Sequence, residues 1–241
     1  MYKMRKPFLL LIVATIIFSL NLSSAIDVTA KSNSTTAHSH DEQDIILITG
    51  DEAKEFIDTT LYAIKIGNLK NIASTSAFKL KDSSVYYVGG GVTAVTIPIY
   101  GKYSLTSNLT IFFDEHKNII QTNEMIVKEN KLGNFQVETY LDGKLYSSED
   151  TGIAYMTDEE LLAEDPISSD IKLMGVGAVA SCLAAVLGIG GTVALIIAKA
   201  CAGSCVTPTP ITAKICAACI GAYAVLGTGG ITGAVACFKY L

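Results

Sequence analysis

The chain has 241 residues, of which 50% are hydrophobic and 17% are charged, with six cysteines and a formal net charge of −5. The charge is divided along the sequence: residues 1–26 carry +3, residues 27–170 carry −12, and residues 171–241 carry +4 with no acidic residue. This division argues against one uniform globular domain and against a cytosolic enzyme. The positive block holds no lysine or arginine cluster, which disfavours a nucleic-acid-binding protein.

The first segment has the order of an export signal. Positive charges in residues 1–6 precede an apolar stretch at 7–20 and a polar tail of small residues. The apolar stretch is shorter than the ~20 residues that a membrane-spanning helix needs. We therefore predict a signal peptide over residues 1–25, cleaved after Ala25 or, in a second interpretation, after Ala30. An uncleaved N-terminal anchor is the competing interpretation.

Residues 26–44 predict a flexible linker, because their Ser/Thr-rich part shows no apolar periodicity. His38 and His40 lie beside two acidic residues there. Histidines in a solvated tail are usually only solvated, so the sequence predicts no metal site and no cofactor.

Residues 45–150 predict a small acidic α+β domain. Apolar residues at helical spacing predict an amphipathic helix over residues 51–76, interrupted near Gly67. Period-two alternation then predicts five strands, at 92–100, 104–113, 119–127, 135–140 and 144–146. A helix followed by an antiparallel meander predicts a sheet with one face packed on the helix.

This middle region shows no catalytic constellation. His116 stands alone in a turn, without a neighbour in sequence that would make it a general base. The carboxylates are spread over turns and helix ends, as on a solvated surface. The glycine run at 89–91 precedes a strand, whereas a phosphate-binding loop precedes a helix. We therefore predict that the protein is not an enzyme, with a catalytic set scattered through the sequence as the alternative.

Residues 151–170 predict an acidic processing linker, or a short helix that ends in an accessible loop. Loops of this composition are where proteases cut, and the sign of the charge reverses immediately afterwards. We expect processing near four residues: Asp165, Pro166, Asp170 and Ile171.

Residues 171–241 predict an all-α, disulfide-linked helical hairpin or bundle. They contain two uncharged runs, 173–198 and 215–238, each long enough to cross a bilayer. Glycines divide each run into helices of about fourteen residues, or ~21 Å, which is short for a membrane span. Prolines between the runs predict a turn.

The cysteines fit such a hairpin, since residues of two antiparallel helices meet when their numbers have a constant sum. Three nested pairs have nearly equal sums: Cys205–Cys216, Cys201–Cys219 and Cys182–Cys237. We predict these three disulfides. The alternatives are six reduced, buried cysteines in a membrane protein, and a zinc site on the four central cysteines, which the apolar, exported setting disfavours.

The lysines of this segment give it a cationic surface. Each charge near an anionic lipid interface contributes ~1 kcal/mol of attraction, and burial of apolar side chains in lipid would add to it. We predict contact with the membrane surface at Lys172, Lys199, Lys214 and Lys239.

The segment from about Ile171 to Leu241 resembles the halocin C8-like bacteriocin family in the stretches SCLAAVLGIGG, CAGSC, ICAACIGAYAVLG and ITGAVACF. The resemblance implies an exported precursor with an acidic N-terminal portion and a Gly/Ala/Cys-rich C-terminal peptide that is released as the antimicrobial. It also implies growth inhibition of related cells and, for the upstream portion, producer immunity.

The sequence therefore predicts a secreted bacteriocin precursor with an acidic propeptide domain. The expected partners are the target-cell membrane or a membrane protein, the protein's own propeptide domain and a processing protease, and no nucleic acid. The opposite charges of the two parts predict electrostatic masking of the peptide, which salt would weaken. The alternative is a membrane-anchored protein with a C-terminal transmembrane hairpin and an extracytoplasmic binding or immunity domain.

Overall fold

The computed structural model describes residues 45–164, 175–205, 216, 219–223 and 230–241. Several predictions of the sequence analysis fall outside these ranges. They concern the cleavage sites Ala25 and Ala30, the linker at 26–44, the processing residues Asp165, Pro166, Asp170 and Ile171, and the lysines Lys172 and Lys214.

The centre of the fold is a seven-stranded antiparallel sheet in which every strand pairs with the next one in sequence. The strands are β1 (Ile46–Ile48), β2 (Ser84–Tyr87), β3 (Thr93–Pro98), β4 (Asn108–Phe113), β5 (Ile119–Glu129), β6 (Asn134–Leu141) and β7 (Lys144–Ala154). The predicted meander corresponds to β3–β7. Strands β1 and β2 were not predicted, because strands of three and four residues are too short to show a period of two.

Helix α1 (Gly50–Lys65) carries two acidic residues, Asp51 and Glu52, in its first turn, where the helix dipole favours negative charge. It ends about ten residues before the predicted limit. Gly67 adopts a left-handed φ of 71° just beyond the helix, a backbone conformation that glycine tolerates and that stops the helical path. The helix buries Phe56 against the sheet, where its ring lies 5.4 Å from that of Phe113.

Helices cover both faces of the sheet. Successive side chains of β5 point to opposite faces, and each side joins a different core. Ile126 points into the core that includes α1, together with Ile111 of β4. Its neighbours Met125 and Val127 point to the opposite face and join a second core with the C-terminal helices. The expected packing on α1 is therefore only half of the arrangement, and helices lie on both sides of the sheet.

The stretch at 151–170, expected to be a linker or a short helix, contains regular structure in its described part. Strand β7 continues to Ala154, and helix α2 (Asp158–Ala163) follows with a capping box between Thr157 and Glu160. Leu161 of this short helix is 2% exposed and belongs to the second core. The part of this stretch before residue 165 is thus attached to the sheet and to the C-terminal helices.

The C-terminal part contains α3 (Val176–Leu187), α4 (Gly191–Cys205), helical backbone at residues 219–223, and α5 (Ile231–Cys237). Gly188 ends α3 in a left-handed conformation with φ 68°, which turns the chain sharply before α4. None of the described helices can by itself cross a membrane. Within the described part of the chain, α3 and α4 taken together are the one pair with sufficient length and apolar composition, and they are bent by 120° at the break.

Glu124 of β5 is a buried carboxylate that holds the segment after α1 against the sheet. It is 1% exposed, and its two oxygens accept the backbone N–H groups of Ile72 and Ala73 at 2.6 and 2.7 Å. Burial raises the pKa of Glu124 above its usual value, and the two N–H donors oppose that rise.

This pKa shift predicts a pH dependence of stability. Because the pKa is higher in the folded state, the folded protein binds more protons between the two values, and its free energy of unfolding should fall as pH rises through that interval. Glu124→Gln should remove this component, as measured by urea unfolding between about pH 4 and pH 7. Glu115→Gln, at an exposed position, is the control, and an unchanged slope in the Glu124 variant would contradict the prediction.

Candidate functional site

We call the described residues from 175 onward the helical module, and its contact with the sheet the seam. Three disulfides link the module internally: Cys182–Cys237, Cys201–Cys219 and Cys205–Cys216, with Cα–Cα distances of 5.6, 5.8 and 4.9 Å. These are the nested pairs expected from the residue numbers. The six cysteine sulfurs form these three pairs. In this oxidised state none of them is a free thiolate that could bind zinc.

The first and last helices of the module are joined by the outer bridge, because Cys182 lies in α3 and Cys237 ends α5. The two inner bridges fix the C-terminal turn of α4 to Cys216 and Cys219, both of which have helical backbone. A fold of this size has little apolar core of its own, so such links account for much of its stability.

The apolar interior of the module is completed by the sheet. Within the module, Leu183, Leu187 and Ile196 are fully buried. They belong to the same core as side chains of the sheet, of the β3–β4 connection and of α2, namely Leu105, Met125, Val127, Phe135, Val137 and Leu161. Separation of the two parts would therefore expose apolar surface on both.

Among the described residues of the seam, Tyr223 is the largest fully buried side chain, with 1% of its surface exposed. Its hydroxyl donates to the Sδ atom of Met125 on β5. Burial raises the pKa of Tyr223 above its usual value, and a hydrogen bond with Asn108 of β4 opposes the rise. The polar end of the tyrosine thus finds its partners on the sheet and not within the module, which gives the docked position a specific geometry.

A carboxylate from outside the module caps helix α4. Glu164, which follows α2, accepts the backbone N–H of Thr192 at 2.8 Å and the Thr192 hydroxyl at 2.6 Å. Negative charge at a helix N-terminus is favourable, because the first N–H groups have no partner within the helix. The contact ties the acidic segment before residue 165 to the module after it. Its two residues are 28 positions apart, and no local pattern in the sequence indicates it.

Gly190 leaves the space that this contact requires. A Cβ atom at that position would lie 2.6 Å from Oε2 and 2.7 Å from Cβ of Glu164, closer than such atoms approach in proteins. The absence of a side chain at Gly190 therefore allows Glu164 to reach the end of α4.

Gly190→Ala should break the Glu164–Thr192 contact and lower the free energy of unfolding by about 2 kcal/mol, since a charge-assisted helix cap is lost. Chemical unfolding of the full-length chain measures this. Gly230→Ala is the matched control: Gly230 also precedes a helix, but a Cβ atom there meets nothing within 4 Å, so we expect a change of less than about 0.5 kcal/mol. Equal effects of the two substitutions would contradict the role of Glu164.

Charge contributes less to the seam than apolar packing. Lys199 of α4 lies 3.6 Å from Glu149 of β7, with 26% and 55% of the two side chains exposed. A half-exposed ion pair contributes at most ~1 kcal/mol. The other described lysine of the module, Lys239, is exposed and lies 5.2 Å above the ring of Tyr240. Of the four lysines predicted to meet a membrane, Lys199 thus faces the sheet in the docked state.

The middle region places its single histidine at the surface. His116 is exposed, and its Nε2 lies 3.6 Å from a carboxylate oxygen of Glu115. Among residues 45–164 and the described part of the module, there is no group of three or more His, Cys, Asp and Glu side chains suited to hold a metal ion. His38 and His40 lie outside these residues.

The sequence predicted contact between the two parts through opposite charge, and it did not predict that the module packs on the sheet through an apolar core, although a signal for this packing exists. Strands β3 and β4 are buried at every position, and β5 is apolar at three successive residues, Met125, Ile126 and Val127. Strands buried on both faces show such continuous runs, whereas a sheet with one solvated face alternates. Comparison of the chain with protein-family models, curated proteins and solved structures gave no match.

Proposed function

We propose that the protein is the precursor of a secreted bacteriocin, in which the sheet serves as a propeptide that holds the helical module in an inactive position. The observation that supports this best is the shared core: the apolar face of the module lies against Met125, Val127, Phe135 and Val137 of the sheet. A peptide that keeps this face covered cannot use it to enter a lipid bilayer.

Cleavage between the two parts would change the partner of that face. Each buried aliphatic side chain contributes about 1.5–3 kcal/mol when it is removed from water, whether by protein or by lipid. The released module would keep its three disulfides and exchange the sheet for a membrane surface, with its lysines near the lipid head groups. Residues 165–171 are the proposed processing region, because Glu164 still belongs to the docked structure.

Secretion is proposed on two grounds. The N-terminal 25 residues have the order of a signal peptide, and disulfides persist in oxidising compartments outside the cytosol.

Mass spectrometry of intact proteins in the culture supernatant tests this proposal. We expect a C-terminal peptide of roughly seventy residues whose mass is lower by six hydrogens, since the oxidation that forms three disulfides removes six thiol hydrogen atoms. The purified peptide should release dye from anionic liposomes, and reductant should weaken that activity. Full-length protein with free thiols, found only in the membrane fraction, would contradict the proposal.

The second candidate is a membrane-anchored protein with an extracytoplasmic binding or immunity domain. The observation that favours it is the apolar pair α3 and α4, which has the length and composition of a span apart from its 120° bend. In this case the pair would straighten in lipid and the module would stay attached to the sheet. Resistance of the protein to extraction from membranes by alkaline carbonate would favour this candidate.

The contacts at the seam change the expected effect of salt. Opposite net charges predict that salt weakens the masking of the module, but the described seam contains one half-exposed ion pair and an extensive apolar core. We therefore expect dissociation of the cleaved precursor to change by less than about threefold between about 0.05 M and 0.5 M salt. Dissociation rates from surface plasmon resonance measure this. A tenfold faster dissociation at high salt would instead support masking of the module by charge.

A further inference from the structure

A cavity of about 240 Å³ lies in the seam, between strands β5–β7 and the C-terminal half of α4. Sheet residues on its wall include Asn123, Met125 and Val137, and module residues include Ala200 and Cys219. A molecule in this cavity would therefore touch both parts of the protein at once.

The chemistry of the wall favours an aromatic ligand. Two sulfur-containing residues, Met125 and the half-cystine Cys219, line the wall, and sulfur makes favourable contacts with the edges of aromatic rings. Val137 adds aliphatic surface to the wall. The two charged lining residues, Lys199 and Glu149, pair with each other, so the cavity offers no net charge to an ion.

Asn123 supplies a buried acceptor in the site, and the hydroxyl-bearing residues Thr139, Ser147 and Ser204 also line its wall. Asn123 is 6% exposed, and its side-chain oxygen Oδ1 has no hydrogen-bond partner among the described residues. A buried acceptor without a donor costs about 1–3 kcal/mol, and such groups in native proteins usually have a partner. A ligand with a single N–H or O–H group would provide the missing donor.

The volume limits the size of the ligand. An apolar cavity of about 150 Å³ accommodates benzene, and drug-sized ligands need about 300 Å³ or more. The seam cavity lies between these values, which corresponds to a ligand of roughly ten non-hydrogen atoms.

We propose that this cavity is a binding site for a small, uncharged aromatic molecule with one hydrogen-bond donor, and that such a ligand stabilises the docked module. Anything that binds the docked state alone shifts the equilibrium toward it by mass action. The inference does not depend on what the released module does, because it concerns only the full-length chain.

Indole and benzothiophene test the proposal as a matched pair, since they have nearly the same shape and only indole carries an N–H donor. In thermal unfolding of the oxidised, full-length protein, indole at about ten times its Kd should raise Tm by about 3 °C. Benzothiophene should bind about fivefold more weakly, as expected for the loss of one neutral hydrogen bond. Equal shifts would overturn the assignment of the donor, and no shift with either compound would overturn the site.

Two variants locate the binding. Asn123→Leu should abolish the preference for indole, so that both compounds bind with equal affinity. Ala200→Leu fills part of the cavity and should remove the Tm shift with indole without lowering the Tm of the free protein. An indole shift that persists unchanged in both variants would place the compound elsewhere and overturn the proposal.

Discussion

Replacing Cys182 and Cys237 by serine should lower the free energy of unfolding of the full-length chain by about 4 kcal/mol. This bridge joins residues 55 positions apart, the longest separation of the three, and the entropy that a cross-link removes from the unfolded chain grows with the length of the closed loop. Urea unfolding of the oxidised protein, followed by circular dichroism, measures the change.

The Cys205→Ser/Cys216→Ser variant is the matched control for this result. Its bridge spans 11 positions, so the same relation predicts a smaller loss, about 3 kcal/mol. An equal or larger loss in this variant would show that native contacts around the inner bridge, and not loop length, determine the contribution of each disulfide. Wild-type protein in reductant should be less stable than either double variant.

Val137→Asp should undock the helical module while the precursor is still uncleaved. Val137 is 5% exposed within the shared core, and burial of an unpaired carboxylate there costs about 3–5 kcal/mol. The module can avoid this cost by leaving the sheet. Under the proposed function, the full-length variant should therefore release dye from anionic liposomes, whereas the wild-type precursor should not.

Leu145→Asp on the neighbouring strand β7 is the control, because Leu145 is 57% exposed and lies outside the shared core. It should leave both stability and membrane activity close to those of the wild type. Val137→Ala, a milder change, should give intermediate leakage and covers the case in which the aspartate variant fails to accumulate. A soluble, undocked Val137 variant without membrane activity would contradict the propeptide role of the sheet.

The family resemblance implies an immunity role for the upstream portion. This role requires a further property of the sheet, beyond covering the module in the precursor. A sheet that protects the producer must bind the released module after cleavage. The cap from Glu164 to Thr192 and the hydroxyl of Tyr223 on Met125 both join atoms that cleavage after residue 164 would place on separate molecules. These contacts are consistent with rebinding, and the membrane assays above do not require it.

The sequence by itself determined the elements whose signals are local. Period-two alternation indicated strands β3–β7, helical spacing indicated α1, and the nearly constant sums of cysteine numbers indicated Cys182–Cys237, Cys201–Cys219 and Cys205–Cys216. These signals can be recognised without tertiary information, because each depends on the regular repeat of a helix or a strand.

Only the tertiary structure decided where the helical module lies and what holds it there. The docking on Val127 and Val137, the cap between Glu164 and Thr192 and the cavity beside Asn123 all join residues that are distant in sequence. An apolar side chain shows that it will be buried but does not show against which partner, since the hydrophobic effect has no direction. The partner is decided by shape and by the few hydrogen bonds that the docked position satisfies.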